Sequence, residues 1–374
     1  MKRFSFLILG LFFLFSLRSL FCADKHQAHR ALSNDSFYLY GDFLWWRADT
    51  SGVELALFKT KCFDGNASNI DKSTVELKGK WKPGFRVGTG YRFGHFDHWN
   101  LFLAWTRYRG KSNQVSKQAP LETGTTFQQG WISNFLGPSA TAVKGSWDID
   151  LDLLDLEMDR AYKITKQILL EPHVGVRGAW IDIDYRANYM GFWETADLQN
   201  DIFTKYFSPT SFRGKSDFSA GGLRVGTKFL WSVLPNLGFF GDVSLSLLYG
   251  RFKVEENFQG AAIDSSLSMD LIRLDPIQEK YTQRKVEVRP NLEILLGLKW
   301  SVDFRNGLSK FSIFAGYELS TWFQLNQLFR VVREFDTEPL NASNVTTNNA
   351  SFHLNHINSN INFQGLTAKV MFDF

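Results

Sequence analysis

The feature that most constrains the fold is a two-residue alternation of apolar and polar side chains, sustained over segments of roughly 10–15 residues. Phe85, Val87 and Tyr91 fall on one parity, and Arg86 and Arg92 fall on the other. Successive side chains of a strand point to opposite faces, so each segment predicts a strand with one apolar and one polar face. Strands of soluble proteins usually have about 5–6 residues, whereas a tilted strand needs ~9–11 residues to cross a bilayer. Segment length therefore favours a transmembrane barrel over a soluble sandwich.

The connections between these segments alternate strictly between short and long, which is typical of bacterial barrels with short periplasmic turns and long outer loops. The sequence therefore predicts an all-β fold, a transmembrane antiparallel up-and-down β-barrel of about ten strands with both termini in the periplasm. A further hairpin from residues 53–58 and 74–80 would raise the number to twelve. The predicted strands are residues 37–48, 82–93, 99–109, 146–161, 168–183, 217–231, 238–252, 285–302, 309–325 and 362–374, and the predicted outer loops are residues 49–80, 110–145, 184–216, 253–284 and 326–361.

The first segment has the composition of a secretory signal and is set apart from the fold. Lys2 and Arg3 precede an apolar run that is shorter than the ~20 residues of a membrane-spanning helix. We predict a signal peptide at residues 1–23, a periplasmic segment at residues 24–36 and the barrel at residues 37–374; a retained N-terminal anchor is the alternative. After cleavage basic and acidic residues nearly balance, so the charge does not indicate a nucleic-acid partner.

Aromatic side chains make up 16% of the chain, with 36 Phe and 12 Trp, which is more than a soluble core needs. Aromatic rings accumulate where an apolar surface meets a wet interface, and in barrels they form girdles at both membrane surfaces. Most tryptophans fall near the ends of predicted strands, so we assign them to such girdles. The tryptophans assigned in this way are Trp45, Trp46, Trp81, Trp99, Trp105, Trp147, Trp180, Trp231, Trp300 and Trp322.

The last strand is apolar at every second place, from Leu366 and Ala368 to Val370, Phe372 and Phe374. This ending resembles the terminal signal by which the outer-membrane assembly machinery recognises its clients. We therefore predict that Val370, Phe372 and Phe374 form an assembly signal. The predicted partners are this barrel assembly machinery and outer-membrane lipid, and the predicted location is the bacterial outer membrane.

With the strands laid out, the chain resembles the Legionella-type major outer membrane protein family, pore-forming proteins also found in chlamydia-like bacteria. The resemblance is carried by residues 37–46, 81–91, 99–108, 147–159 and 170–177. It covers nearly the whole mature chain and is strongest in the strands. The family implies an outer-membrane pore and supplies no catalytic residues.

Cys62 is the one cysteine that remains after cleavage, so it cannot close an internal disulfide. In an oxidising compartment it is either a spare thiol or an intermolecular crosslink. Because chlamydia-like envelopes are thought to use intermolecular disulfides, the resemblance makes crosslinking at Cys62 a hypothesis. The sequence gives no oligomeric state, and a homo-oligomer is left open.

The polar faces of the predicted strands carry charges of both signs, which would point into the barrel lumen. One interpretation is a mixed-charge pore wall that keeps water in and tunes selectivity. The other is a narrow barrel filled by its own ion pairs, since eight strands are already filled whereas 16–18 leave a channel. Glycines on the inner wall would leave room and favour the pore: Gly88, Gly90, Gly226 and Gly297. The predicted pore-lining residues are Arg86, Arg92, Glu171, His173, Arg177, Arg224, Lys228, Asp242, Glu287, Arg289, Glu293, Glu318 and Lys369.

One predicted strand breaks its phase. Asp148, Asp150 and Asp152 alternate with apolar residues, and from Leu154 onward the apolar parity is shifted by one residue. A β-bulge produces such a slip, and a poorly pleated strand end is the alternative. The three aspartates are ~7 Å apart along one face, too far for one shared ion, and we interpret them as pore or rim acids.

No pattern in the chain predicts catalysis or a cofactor. His95 and His98, and likewise His353 and His356, are pairs without the third and fourth ligands that metal sites normally require. Nucleophile elbow, metalloprotease and P-loop motifs are missing from the sequence. The sequence therefore predicts a non-enzymatic porin-like channel that passes small hydrophilic solutes by diffusion. The rival prediction is a closed barrel that acts as a surface adhesin or an envelope structural protein.

Overall fold

The computed structural model describes residues 36–64, 67–93, 99–119, 126–131, 139–197, 202–263, 274–304, 309–336 and 349–374. Residues 1–35, with the predicted signal peptide and most of the periplasmic segment, lie outside this part, as do His95 and His98. Within the described residues, no helix has the length and apolar character to cross a membrane. The strands are β1 (Ser36–Thr50), β2 (Ala56–Asp64), β3 (Ala67–Val75), β4 (Lys82–Phe93), β5 (Trp99–Lys111), β6 (Val115–Gln118), β7 (Thr126–Gln129), β8 (Ser139–Arg160), β9 (Tyr162–Lys163), β10 (Ile168–Asp197), β11 (Ile202–Leu234), β12 (Leu237–Ile263), β13 (Leu274–Phe304), β14 (Ser309–Asn326), β15 (Phe329–Asp336), β16 (Asn349–His356) and β17 (Ser359–Asp373).

Ten of these strands form a closed antiparallel ring in the order β1, β4, β5, β8, β10, β11, β12, β13, β14 and β17. The last strand closes the ring, because β17 pairs with β14 on one side and with β1 on the other. The predicted all-β up-and-down barrel is therefore confirmed. The hairpin predicted at residues 53–58 and 74–80 forms as β2–β3 with shifted bounds, and it pairs with β7 outside the ring.

The strands from β10 to β13 are two to three times longer than a bilayer requires, with 30, 33, 27 and 31 residues. Residues 184–216 and 253–284, expected as long outer loops, therefore consist largely of strand. The hairpins continue past the membrane, because antiparallel pairing satisfies their backbone hydrogen bonds there as well. We call this part of the barrel its extracellular half.

The outward face of the periplasmic half carries a continuous apolar belt. The side chains that form it are large, apolar and exposed, as contact with lipid requires. Five girdle tryptophans, Trp45, Trp81, Trp180, Trp231 and Trp300, are exposed as predicted. The belt includes Leu39, Phe43, Leu101, Leu156, Met158, Val174, Val176, Leu223, Val225, Val243, Leu245, Leu247, Tyr249, Val286, Val288, Leu296, Leu298, Ile313, Leu366, Val370 and Phe372.

The girdle prediction is wrong for three other tryptophans, because Trp46, Trp147 and Trp322 are buried inside the barrel. They lie in the extracellular half, where water rather than lipid bathes the outward face. Turning apolar side chains inward, away from water, lowers the free energy there. The inward face is therefore apolar and the outward face polar, which is the reverse of the membrane-spanning part.

The phase break in β8 has the same cause, and at Leu154 it is neither a β-bulge nor a poorly pleated strand end. The pairing of β8 with β5 runs from Lys111↔Asp148 to Trp99↔Arg160 without a register shift. Odd-numbered residues face inward throughout, so the apolar side changes from inward to outward while the pleat stays constant. Asp148, Asp150 and Asp152 consequently lie outward above the belt, and they are not pore acids.

Candidate functional site

The lumen of the barrel gathers all the side chains predicted from the polar strand faces. Ten of the thirteen line one cavity in the periplasmic half. His173 is buried beside Glu157, and Arg289 forms an ion pair with Glu287 nearer the extracellular half. The ten in the cavity are Arg86, Arg92, Glu171, Arg177, Arg224, Lys228, Asp242, Glu293, Glu318 and Lys369.

The middle of the lumen is crossed by a central charge layer of five side chains, Asp155, Glu157, Arg177, Arg224 and Glu293. The Arg177 guanidinium donates two hydrogen bonds to Asp155, at 2.6 and 2.8 Å, and two to Glu293, at 2.6 and 3.1 Å. Arg224 pairs with Glu157 at 2.8 Å and with Glu293 at 2.6 Å. All five residues are at most 6% exposed. Bidentate pairing of this kind fixes the side chains in one geometry.

A second group of charges continues the central charge layer toward β1 and β17. Arg86 donates to Asp42 at 3.1 Å and to Glu318 at 2.7 Å. Glu318 also accepts a hydrogen bond of 2.8 Å from Thr367, so its oxygens are both occupied. Lys369 of β17 also lies 3.8 Å from Asp42, so this group sets two cations against two carboxylates. The central charge layer sets two guanidinium groups against three carboxylates.

Below these ion pairs lies a charged vestibule, a cavity of about 630 Å³. It extends from Lys163, Lys310 and Asp373 at the periplasmic strand ends to Arg177 and Glu293 in the central charge layer. Its wall carries both charge signs and several aromatic rings. The vestibule is large enough to hold water or a small polar solute.

Above the central charge layer, the lumen is filled by an apolar plug. Trp46, Tyr108 and Phe363 pack with ring centroids 5.7–6.4 Å apart. Higher in the plug, Trp131 lies 4.5 Å from Tyr185. The plug comprises Leu44, Trp46, Leu55, Leu77, Tyr108, Trp131, Trp147, Leu151, Leu153, Ile181, Tyr185, Phe212, Phe218, Leu248, Phe252, Phe258, Trp322, Leu328 and Phe363, each at most 4% exposed.

Segments outside the ring complete the plug by folding inward. Leu55 precedes β2, and its carbonyl accepts a 2.6 Å hydrogen bond from the Tyr189 hydroxyl. The indole of Trp147 donates to the carbonyl of Leu77 at 3.1 Å. The polar atoms of Trp46, Tyr108 and Trp131 also have backbone or side-chain partners, so most of these rings combine apolar burial with a hydrogen bond. An exception is the indole N–H of Trp322, which is buried without a partner among the described residues.

The inner-wall glycines do not leave the room expected of them. A Cβ at Gly88 would collide with the ring of Tyr40, and one at Gly90 would collide with the ring of Tyr38. Gly226 is likewise covered by His173. A side chain from a neighbouring strand covers each of these three glycines, and a Cβ at Gly297 would collide with the backbone of Ala315, so none of the four positions widens the lumen.

Sequence reasoning missed the acidic partners Asp42, Asp155, Glu157 and Asp159. Three of them lie in β8 beyond Leu154, on the polar face opposite Leu154, Leu156 and Met158, so the alternation alone indicates their lumenal position. The plug was missed because its rings alternate with polar residues as regularly as lipid-facing ones do.

Several predicted features lie beyond what the structure describes. The side chains of Cys62, His353 and His356 fall outside the described set, so the crosslinking hypothesis stays a prediction. Among the described residues, no group of three or more His, Cys, Asp or Glu side chains is placed to hold a metal ion. Val370 and Phe372 lie outward on β17, and the exposed Phe374 follows them.

Comparison with known proteins places the chain among outer-membrane proteins. A family model described as "Legionella pneumophila major outer membrane protein precursor" matches residues 33–374. No curated protein sequence matches. Among solved structures, the outer membrane protease OmpT from Escherichia coli is 8% identical, with 91% of this chain and 96% of that chain covered and a TM-score of 0.30. The toluene transporter TodX from P. putida is 9% identical, with 91% and 89% covered and a TM-score of 0.27.

Proposed function

Since the chain belongs to the Legionella major outer membrane protein family, we propose that it is an outer-membrane barrel with a closed lumen, which anchors a rigid surface structure in the cell envelope. The observation that carries this proposal is the apolar plug stacked on the central charge layer. The side chains that make up these two levels are almost fully buried.

The energetics of the plug support a closed state. An ion or polar solute crossing it would lose its hydration among apolar rings, which costs several kcal/mol or more for an unpaired charge. Moving the rings aside is also costly, because truncating one buried aromatic side chain destabilises a protein by ~3–5 kcal/mol. A passage wide enough for a hydrated solute requires several such rings to leave together.

The surface role is supported by the height of the barrel above the belt. Only the periplasmic half of β10 to β13 is needed to cross the membrane, so the remainder projects from the cell. Outward charges such as Asp184, Arg186 and Arg213 form ion pairs of 2.7 Å on this projection. A rigid, hydrated and charged stalk suits an envelope or adhesive protein better than it suits a simple pore.

The second candidate is a channel for passive diffusion of small hydrophilic solutes, and the charged vestibule favours it. Its 630 Å³ volume and mixed-charge wall would accept such solutes from the periplasmic side. Passage would require the inward-folded segments at Leu55 and Leu77 to leave the lumen. In either case the chain acts without catalysis, with outer-membrane lipid and the assembly machinery as its partners.

Single-channel conductance in a planar bilayer distinguishes the two candidates. We expect the refolded mature protein to insert without stable current steps. A variant carrying Trp46→Ala, Trp147→Ala and Trp322→Ala, which hollows the plug, should conduct in steps that scale with salt concentration. The control is Trp45→Ala, because Trp45 neighbours Trp46 but faces lipid and should leave the barrel silent. Stable wild-type steps would overturn the closed lumen and establish the channel.

A further inference from the structure

Three cations stand together on the outward face of β12 and β13. Lys253 lies directly opposite Arg284 in the register, and Arg251 is two residues from Lys253 on the same face. Side chains directly opposite have Cβ atoms ~4.5–5.5 Å apart, and like charges there are destabilising. Arg251 and Arg284 are both exposed. We call these three residues the cation cluster.

The neighbouring carboxylates do not neutralise the cation cluster. Lys253 pairs with Glu255 at 2.8 Å. The pKa of Glu255 is lowered by that hydrogen bond and also by nearby Lys280 and Lys215, so one carboxylate is shared among three lysines. Within the described part of the chain, Arg251 and Arg284 have no carboxylate within ion-pair distance.

Asp217 is the other nearby acid, and it faces Lys253 from β11. On its other side Asp217 faces Asp182 of β10, so it already belongs to a row of acids. The cation cluster therefore sets three cations against the two carboxylates beside it, Glu255 and Asp217. An anion from outside would relieve the repulsion between Lys253 and Arg284.

The cation cluster sits at the upper edge of the apolar belt. Arg251 follows Tyr249, the last apolar outward residue of β12, and Arg284 precedes Val286, the first of β13. The belt surface beneath is strongly exposed, with Tyr249 at 66% and Leu223 at 65%. This is the height at which lipid acyl chains end and the headgroups of the outer leaflet begin.

Beneath the cluster, one position beside Tyr249 carries no side chain. Gly221 lies opposite Tyr249 on β11, and a Cβ built on it would meet only the carbonyl of Arg177, at 3.9 Å. Because Gly221 has no side chain, there is room for an acyl chain between Tyr249 and Leu223. The exposed apolar surface and the cations above it thus follow each other in the order of the acyl chain and the headgroup of a lipid molecule.

We propose that Arg251, Lys253 and Arg284 bind the phosphate groups of an anionic glycolipid of the outer leaflet, with an acyl chain lying beside Tyr249 and Gly221. The site depends on the barrel being in the outer membrane and not on whether its lumen is open or closed. Across the barrel, Arg107 and Arg109 occupy a similar height, but they pair with Asp152 at 3.5 Å and Asp150 at 3.9 Å. Those neutralised cations provide a matched control.

The test is native mass spectrometry of the full mature barrel extracted from phosphatidylcholine nanodiscs doped with a diphosphorylated lipid A-type glycolipid. We expect the wild type to retain the glycolipid and Arg251→Gln/Arg284→Gln to retain it about tenfold less or lower still. Arg107→Gln/Arg109→Gln should retain it as the wild type does. Heat-modifiability on gels, equal for all three proteins, shows that the barrels are folded.

Two further arms identify the source of the phosphate. The same glycolipid stripped of phosphate should bind about tenfold more weakly to the wild type. Millimolar inorganic phosphate should displace little of the intact glycolipid, because it lacks the acyl contacts. Equal retention by the wild type and Arg251→Gln/Arg284→Gln, equal loss in the control variant, or full displacement by inorganic phosphate would each overturn the proposal.

Discussion

Replacing Arg177 by leucine tests whether the central charge layer is dry. Arg177 is 3% exposed and holds Asp155 and Glu293 through paired hydrogen bonds. Glu293 has a second partner in Arg224, 2.6 Å away, whereas Asp155 has no other ion-pair partner among the described residues. Removing one partner of a buried pair leaves an uncompensated charge, which costs ~3–5 kcal/mol. We expect a loss of that size in the free energy of unfolding.

The second variant isolates the cause. In Arg177→Leu/Asp155→Leu both members of the pair are gone and the Arg224–Glu293 pair remains. We expect this double variant to regain more than half of the stability that Arg177→Leu loses, because no buried carboxylate is orphaned. Arg107→Leu is the control: its pair with Asp152 is partly exposed, and such pairs contribute about 0–1 kcal/mol.

The assay is reversible guanidinium unfolding of the barrel in lipid vesicles, followed by tryptophan fluorescence and extrapolated to zero denaturant. A loss below about 1 kcal/mol for Arg177→Leu, equal to that of the exposed control, would refute the reasoning. It would mean that water screens the central charge layer, and the closed lumen would lose its main support.

Three further changes test other parts of the molecule. Trp147→Ala removes a buried ring and its hydrogen bond to Leu77, so it should lower the free energy of unfolding by ~3–5 kcal/mol in the same titration. Burial raises the pKa of Glu256 from 4.5 to about 8. Between these two values the folded protein holds a proton that the unfolded chain has released, so the free energy of unfolding should fall as the pH rises from 4.5 to about 8. Glu256→Gln should remove this decline, which unfolding at about pH 6 and about pH 9 would reveal. Deleting Phe374 should reduce the amount of barrel in outer-membrane fractions, whereas Phe239→Ala, an exposed lipid-facing control, should not.

The membrane-spanning part of the fold could be predicted closely from the sequence. Residues 82–93 are predicted as a strand, and β4 spans Lys82–Phe93; residues 309–325 are predicted, and β14 spans Ser309–Asn326. The reason is that the outward face contacts lipid and the inward face carries charges. The polarity of each residue therefore tells which face of the barrel its side chain lies on. Short turns on one side of the membrane then fix the order of the strands.

The extracellular half could not be predicted in this way, because alternation alone does not say which face is inside. Tyr185, Ala187 and Tyr189 alternate with Arg186 and Asn188 as regularly as any lipid-facing strand does. The alternation predicts a strand there, but a long polar outer loop was expected in its place. Long-range contacts, such as Trp131 with Tyr185, decide that the apolar side is buried, and they have no local sequence signature.

The change of polarity leaves a mark in each strand that sequence analysis can use. At the height where the surroundings of a strand change from lipid to water, its outward face is still apolar. Its inward face, which is charged lower down, is already apolar at the same height. Consecutive apolar residues must therefore appear at the crossing, as in residues 43–46 of β1, residues 153–154 of β8 and residues 179–181 of β10. In β8 this run was interpreted as a β-bulge or a poorly pleated strand end, yet its register with β5 is unbroken. A short apolar run inside an alternating strand thus indicates the height of the membrane surface, and here that height is where the plug begins inside the barrel and the cation cluster stands outside it.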